Sequence, residues 1–144
     1  MVLPGCDHGL VSEPKATDLA GTYTLSDTSL EFLNQQKGYG EGALAASTIV
    51  LKPDMTLEMR ALPACLFDSF DNRKRRFVSA AAKWEIDGGP LGFALNLDVE
   101  ESDTIARSRY QRWIHLRYGE SYELEFTIGD PDQGERVRYV RQTG

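Results

Sequence analysis

Cysteine and histidine are scarce in this sequence, which holds only two of each among 144 residues. Two cysteines cannot build a disulfide framework, and no C-x-x-C pair predicts a zinc or redox centre. Histidine is the side chain that enzymes most often use as acid or base near neutral pH, and the sequence contains only two. No G-x-S-x-G elbow, phosphate-binding glycine loop or complete calcium-loop pattern is present. We therefore expect no enzyme, no metal site and no cofactor.

Long apolar runs and an excess of positive charge are also missing. The longest uncharged apolar stretches, such as residues 91–97, fall far short of the roughly 20 residues that a membrane-spanning helix needs. Acidic residues outnumber basic ones by 22 to 16, which gives a formal net charge of −6. Phosphates repel such a chain, so we expect no nucleic-acid partner. An acidic surface suits a soluble monomer, or a module that meets a basic protein.

The sequence divides into a short tail and one domain of ordinary size. Residues 1–18 contain prolines, glycines and scattered charge without a hydrophobic period, which predicts a flexible N-terminal tail. Regular patterns begin at residue 19, and residues 19–144 form the predicted domain. Hydrophobic residues make up 41% of the chain, enough to argue against disorder.

Alternating apolar and polar residues predict about eight strands that follow one another through short turns. These strands fall near residues 19–26, 49–51, 57–61, 77–86, 91–99, 112–117, 122–128 and 136–142. Cap residues at 27–29 and the Lys37-Gly38 pair predict one short helix after the first strand. Antiparallel strands in this order favour a mainly β fold, an up-and-down barrel without exposed edges. A β-sandwich is the alternative.

One long connection interrupts the turns. Residues 62–76 lose the alternation but keep apolar side chains, which argue against disorder and favour a lid or a partner contact. The segment ends in the basic run 73–76, which suits an acidic partner or is simply a solvated loop. The partner contacts predicted here and on the outer face of the sixth strand are Phe67, Phe70, Arg73, Arg75 and Trp113.

The first cysteine ends a short pattern. Leu3-Pro4-Gly5-Cys6 resembles the end of a bacterial lipoprotein lipobox, although Pro4 departs from the usual small residue. The resemblance implies lipidation of Cys6 and a place on the periplasmic side of a bacterial envelope. The alternative is an ordinary cytoplasmic N-terminus. Cys65 has apolar neighbours, which predicts a buried, inert thiol, and a Cys6–Cys65 disulfide stays open.

The start of the first strand carries a second pattern. Gly21-Thr22-Tyr23 resembles the G-x-W motif of lipocalin-like barrels, with Tyr23 in place of tryptophan, and Arg141 would match the arginine that packs over this aromatic residue. The resemblance implies a barrel that binds a small apolar ligand at Tyr23, Arg141 and three pocket-facing aromatic residues. Those three residues, which would equally well fill a solid core, are Trp84, Phe93 and Phe126.

Two functions remain open from the sequence. The first is a non-catalytic, lipocalin-like binding module for a small apolar ligand, tethered to an envelope if Cys6 is lipidated. The second is an acidic module of the inhibitor or immunity type that masks a basic protein partner. The net charge of −6 and the lack of catalytic motifs favour the second, and the strand pattern favours the first.

Overall fold

The computed structural model describes residues 13–66, 77–89, 92–99, 110–128 and 135–142. Each strand pairs antiparallel with the next, and the last strand pairs with the first to close a barrel. The strands are β1 (Gly21–Leu25), β2 (Thr48–Leu51), β3 (Thr56–Pro63), β4 (Phe77–Gly89), β5 (Gly92–Val99), β6 (Tyr110–Tyr118), β7 (Tyr122–Ile128) and β8 (Glu135–Arg141). The predicted eight-stranded meander barrel is confirmed.

Short helices accompany the strands in the described part of the chain. They are α1 (Ala16–Leu19), α2 (Asp27–Lys37), α3 (Glu41–Ala45) and a 3-10 turn (Ala64–Leu66). The predicted helix is α2: the Ser26 hydroxyl accepts the backbone N–H of Ser29, and Gly38 ends the helix with a φ of 69°. Two regions differ from prediction. The helix α3 was not predicted, and α1 begins inside residues 1–18, the stretch assigned to the tail.

Side-chain alternation along each strand builds one apolar core. On β5, Leu95, Leu97 and Val99 are fully buried, whereas Asn96 and Asp98 face outward. The largest side chains with no exposed surface are Tyr23, Phe126 and Tyr139. Burial of each large apolar side chain stabilises the fold by about 1.5–3 kcal/mol, so this core holds the barrel together.

The two ends of the barrel are built differently. At one end, which we call the turn end, lie α1 and the connections β2–β3, β4–β5 and β6–β7. At the other, the helix end, α2 packs against α3 and β8. The 3-10 turn follows β3 but contacts β7, which lies four strands further around the barrel. It therefore crosses the open helix end of the barrel. Leu33, Leu44 and Leu66 are fully buried there.

Two strand boundaries correct the sequence prediction. Leu62 and Pro63, expected in a loop, belong to β3, because a bulge between Met59 and Leu62 shifts the register and lets the strand continue. The expected turn at 87–90 is largely strand, since Asp87 and Gly88 pair with β5. The β4–β5 hairpin therefore projects past the start of β3, and this projection shapes the site.

Candidate functional site

A groove of about 590 Å³ opens on the outer wall of the barrel at the turn end. It lies where β4 and β5 extend beyond the pairing of Thr56 with Lys83, so the β2–β3 turn sits beside the projecting hairpin. Its volume is within the roughly 300–1,000 Å³ typical of ligand pockets. The lining residues are Asp54, Met55, Thr56, Lys83, Trp84, Glu85, Asn96 and Asp98.

Hydrogen bonds fix the β2–β3 turn against β4. Met55 has a left-handed φ of 71°, a conformation that costs a residue with a side chain about 1–2 kcal/mol. The Met55 carbonyl accepts the Trp84 backbone N–H at 2.9 Å, and the Trp84 indole Nε1–H donates to the Thr56 carbonyl at 3.0 Å. The groove thus contains a strained residue that its surroundings hold in place, a feature that clusters at functional sites.

Carboxylates dominate the charge of the groove. Asp54, Glu85 and Asp98 line it together with one ammonium group, that of Lys83. The Thr56 hydroxyl and backbone N–H both donate to Asp54, and these bonds lower the pKa of that carboxyl group. Asp54 is therefore ionised at neutral pH.

Asn96, Met55 and Trp84 complete the lining of the groove. The Asn96 side chain donates to Glu85 at 3.5 Å, while its Oδ1 is buried and accepts no hydrogen bond from the described residues. Met55 is half-buried, and Trp84 is only 3% exposed. Acidic residues beside apolar ones suit a cation carried on an apolar stem.

Tyr23 and Arg141 are the only predicted ligand residues that the structure pairs across neighbouring strands. The Tyr23 hydroxyl donates to the Leu19 carbonyl at 2.7 Å and is fully buried. Arg141 lies across Gly21, because its Nε would be 2.8 Å from a Cβ built on that glycine. This pair closes the turn end of the core.

The three predicted pocket aromatics occupy different surroundings. Phe126 is fully buried, with the Tyr139 ring edge-on at 5.7 Å between centroids. Phe93 is half-buried and its ring covers Gly88, where an added Cβ would meet it at 2.9 Å. Trp84 is the one of the three that lines the groove.

The predicted partner contacts lie mostly beyond the described ranges. Phe67, Phe70, Arg73 and Arg75 are outside the described residues, as is Cys6, whose lipidation stays a prediction. The Trp113 backbone pairs with that of Asn96, and the Trp113 side chain lies outside the described part of the structure. Cys65, expected to be buried, is half-buried, and its backbone N–H donates to the Tyr39 hydroxyl.

Sequence reasoning missed most of the groove. A turn at Pro53-Asp54 was predictable, but its position beside Trp84 depends on how far β4 runs beyond β3. The strained φ of Met55 leaves no mark in the sequence, because left-handed turn positions usually hold glycine or asparagine.

Comparisons with protein-family models, curated proteins and solved structures found no match to this chain. The closed antiparallel barrel is compatible with a lipocalin-like fold. Within the described ranges, no group of three or more histidine, cysteine or acidic side chains could hold a metal ion. No described helix has both the length and the apolar character to cross a membrane. The groove is therefore the basis for a functional proposal.

Proposed function

We propose that this chain is a non-catalytic binding module whose groove at the turn end binds a basic side chain of a protein partner. The observation that carries the proposal is that Asp54, Glu85 and Asp98 line the groove together with the apolar residues Met55 and Trp84. A lysine or arginine side chain has the matching form, a cationic head on an apolar stem.

The charges of the site and of the whole chain act in the same direction. The carboxylates that line the groove attract a cationic head, and the net charge of −6 steers a basic protein toward the barrel. Rigid surroundings reduce the entropy lost on binding, because the turn is already fixed by Trp84.

The lining favours binding over catalysis. Its described side chains include no histidine, cysteine or serine, so the usual nucleophile and base pairs are not among them. Asp54 is engaged by Thr56 within the turn. Its lowered pKa makes it a poor general acid or base near neutral pH.

Trp84 provides the test. The sequence has two tryptophans, so a Trp113→Phe variant leaves Trp84 as the sole indole reporter. We expect a short peptide with one central lysine between apolar residues to change its fluorescence saturably. Glu85→Gln should weaken that binding by about fivefold, the effect of losing one exposed charge contact of roughly 1 kcal/mol.

The control removes the same charge elsewhere. Glu31→Gln alters an exposed residue of α2, away from the groove, and should leave peptide affinity unchanged. A peptide with glutamine in place of lysine should bind at least about tenfold more weakly. Equal binding of the two peptides, or equal weakening by Glu31→Gln, would show that the groove does not recognise the cation.

A small apolar ligand inside the barrel is the second candidate. It is favoured by the apolar inward faces of β5 and β6 and by Ile86 and Phe93, which are only half-buried toward the turn end. Native mass spectrometry distinguishes the two. A reproducible adduct that is lost on denaturation supports the small ligand, and a clean apo mass combined with lysine-peptide binding supports the groove.

A further inference from the structure

Two methionines at the start of β3 differ in their access to solvent. Met55 immediately precedes the strand, lines the groove and is half-buried. Met59 lies inside the strand, belongs to the core and is 1% exposed. Met1, the remaining methionine of the sequence, lies outside the described residues. Of the two described thioethers, that of Met55 is therefore the one that a solute in the groove can reach.

The backbone of Met55 is held at both of its polar groups. Its N–H donates to the Lys52 carbonyl at 3.1 Å, and its carbonyl accepts the Trp84 backbone N–H at 2.9 Å. A reaction at the sulfur atom leaves these bonds intact, because they use backbone atoms only. Such a reaction therefore changes the lining of the groove while the turn stays folded.

The lining depends on Met55 for its apolar character. Met55 and Trp84 are the apolar residues that line the groove, and the others are polar or charged. Trp84 is only 3% exposed, whereas Met55 is half-buried. Of the two, Met55 therefore offers more surface to a ligand.

A thioether reacts with hydrogen peroxide to form a sulfoxide. The sulfur lone pair attacks one peroxide oxygen, the O–O bond breaks and an S–O bond forms. Sulfur loses two electrons to the peroxide, whose second oxygen leaves with both protons as water. Methionine sulfoxide reductases reverse the change. They take two electrons from a pair of thiols, which become a disulfide, and release the oxygen as water.

We propose that Met55 is a site of reversible oxidation by hydrogen peroxide, and that its sulfoxide weakens binding in the groove. This inference rests on the proposed function, in which the apolar stem of a basic side chain lies against the apolar lining. Oxidation replaces that contact with a polar S–O group, which loses hydration without gaining a hydrogen bond when the stem covers it. Peroxide therefore lowers the affinity of the groove for a basic partner.

Peptide mapping of the whole protein after peroxide treatment tests the site. Tandem mass spectrometry distinguishes an oxygen added at Met55 from one added at Met59. We expect Met55 to react at least about tenfold faster in the folded protein, because Met59 reacts only in molecules that have opened. In denaturing guanidinium chloride the two rates should agree. Equal rates in the folded protein would contradict the assignment, whatever the groove binds.

Calorimetric titration with the lysine peptide tests the regulation. The oxidised protein should bind the peptide at least about fivefold more weakly, and a methionine sulfoxide reductase with a dithiol should restore the affinity. Met55→Leu has no thioether at this position, so its affinity before and after peroxide should be the same. Circular dichroism should show the same fold before and after oxidation.

The outcomes separate this inference from the proposed function. If the untreated protein does not bind the lysine peptide, the groove function and its regulation are both wrong, although mapping still decides whether Met55 is the reactive methionine. If untreated and oxidised proteins bind equally well, the regulation alone is wrong. Equal weakening of Met55→Leu by peroxide would place the sensitive group elsewhere and would also overturn the regulation.

Discussion

The hydroxyl groups of Ser47 and Tyr139 lie 2.6 Å apart inside the barrel, although 92 residues separate them in the sequence. Ser47 precedes β2 and follows α3, whereas Tyr139 lies on the closing strand β8. Both residues are completely buried. The bond therefore links the helix end to the strand that completes the barrel, and both hydroxyls are shielded from solvent.

We predict that Ser47→Ala and Tyr139→Phe each lower the free energy of unfolding by about 1–3 kcal/mol, since each leaves one buried hydroxyl unsatisfied. The double variant should lose much less than the sum of the two, because no orphaned hydroxyl remains. Urea denaturation measures all three, with Tyr118→Phe as the exposed control. Additive losses would show that the two hydroxyls are not coupled.

Gly21→Ala should destabilise the barrel by more than about 1 kcal/mol. Gly21 has a φ of 149°, and an added Cβ would stand 2.8 Å from Nε of Arg141. The arginine would have to move off the end of the core above Tyr23. Thermal unfolding checks the prediction.

Gly42→Ala is the matched control. Gly42 lies in α3 with nothing within 4 Å of an added Cβ, so alanine should be neutral or stabilise by up to about 1 kcal/mol. If both variants lost stability equally, the effect would not come from the contact with Arg141.

Glu125→Gln should lower the free energy of unfolding by about 3 kcal/mol at pH 7, because it leaves Arg117 largely buried without its counter-charge. Burial raises the pKa of Glu125, but hydrogen bonds from Arg138 and Arg117 outweigh it, and the folded-state pKa is lowered. This contribution is therefore present above the unfolded pKa of about 4.3 and is lost as the pH falls through the lower folded value.

Denaturation in urea between about pH 6 and pH 3 measures this loss. The wild-type protein should lose stability more steeply than the Glu125→Gln variant, and Glu123→Gln should follow the wild type. Parallel curves for Glu125→Gln and the wild type would rule out an ion-paired Glu125.

His115 should titrate below the ordinary histidine pKa of about 6.5. Burial lowers the pKa of His115, Glu125 opposes this effect, and Arg117 and Arg136 reinforce it. Because the folded pKa is depressed, the stability that His115 contributes is present above about pH 6.5 and is lost as the pH falls below it. A nuclear magnetic resonance titration of the imidazole checks the direction, and a midpoint at or above that value contradicts it.

The strand order of the barrel was predictable because alternation marks each strand locally. Leu95, Leu97 and Val99 on β5 and the Lys37-Gly38 stop signal of α2 reappear in the structure as the sequence pattern indicates, whereas the N-cap is Ser26 rather than a residue at 27–29. These signals rest on the two-residue and 3.6-residue periods of the backbone, and both are readable from neighbouring residues.

The buried Glu125 and the groove were not predictable in this way. Alternation places Glu125 outward, where it forms ion pairs with arginines from β6 and β8. The groove depends on unequal strand lengths. β4 extends beyond its pairing with β3 through Asp87 and Gly88, whose residue types are typical of a turn. Both features arise from register between strands, which no local pattern specifies.

Closure of the barrel also sets the order of events during synthesis. β1 pairs on one side with β2 and on the other with β8, whose pairing ends at Arg141. At roughly 5–20 residues per second, the ribosome releases β1 several seconds before its second partner exists. Until then the nascent chain carries an open strand edge, and such edges are sites of aggregation. A product truncated before β8 would keep that edge permanently and be a target for chaperones and proteases.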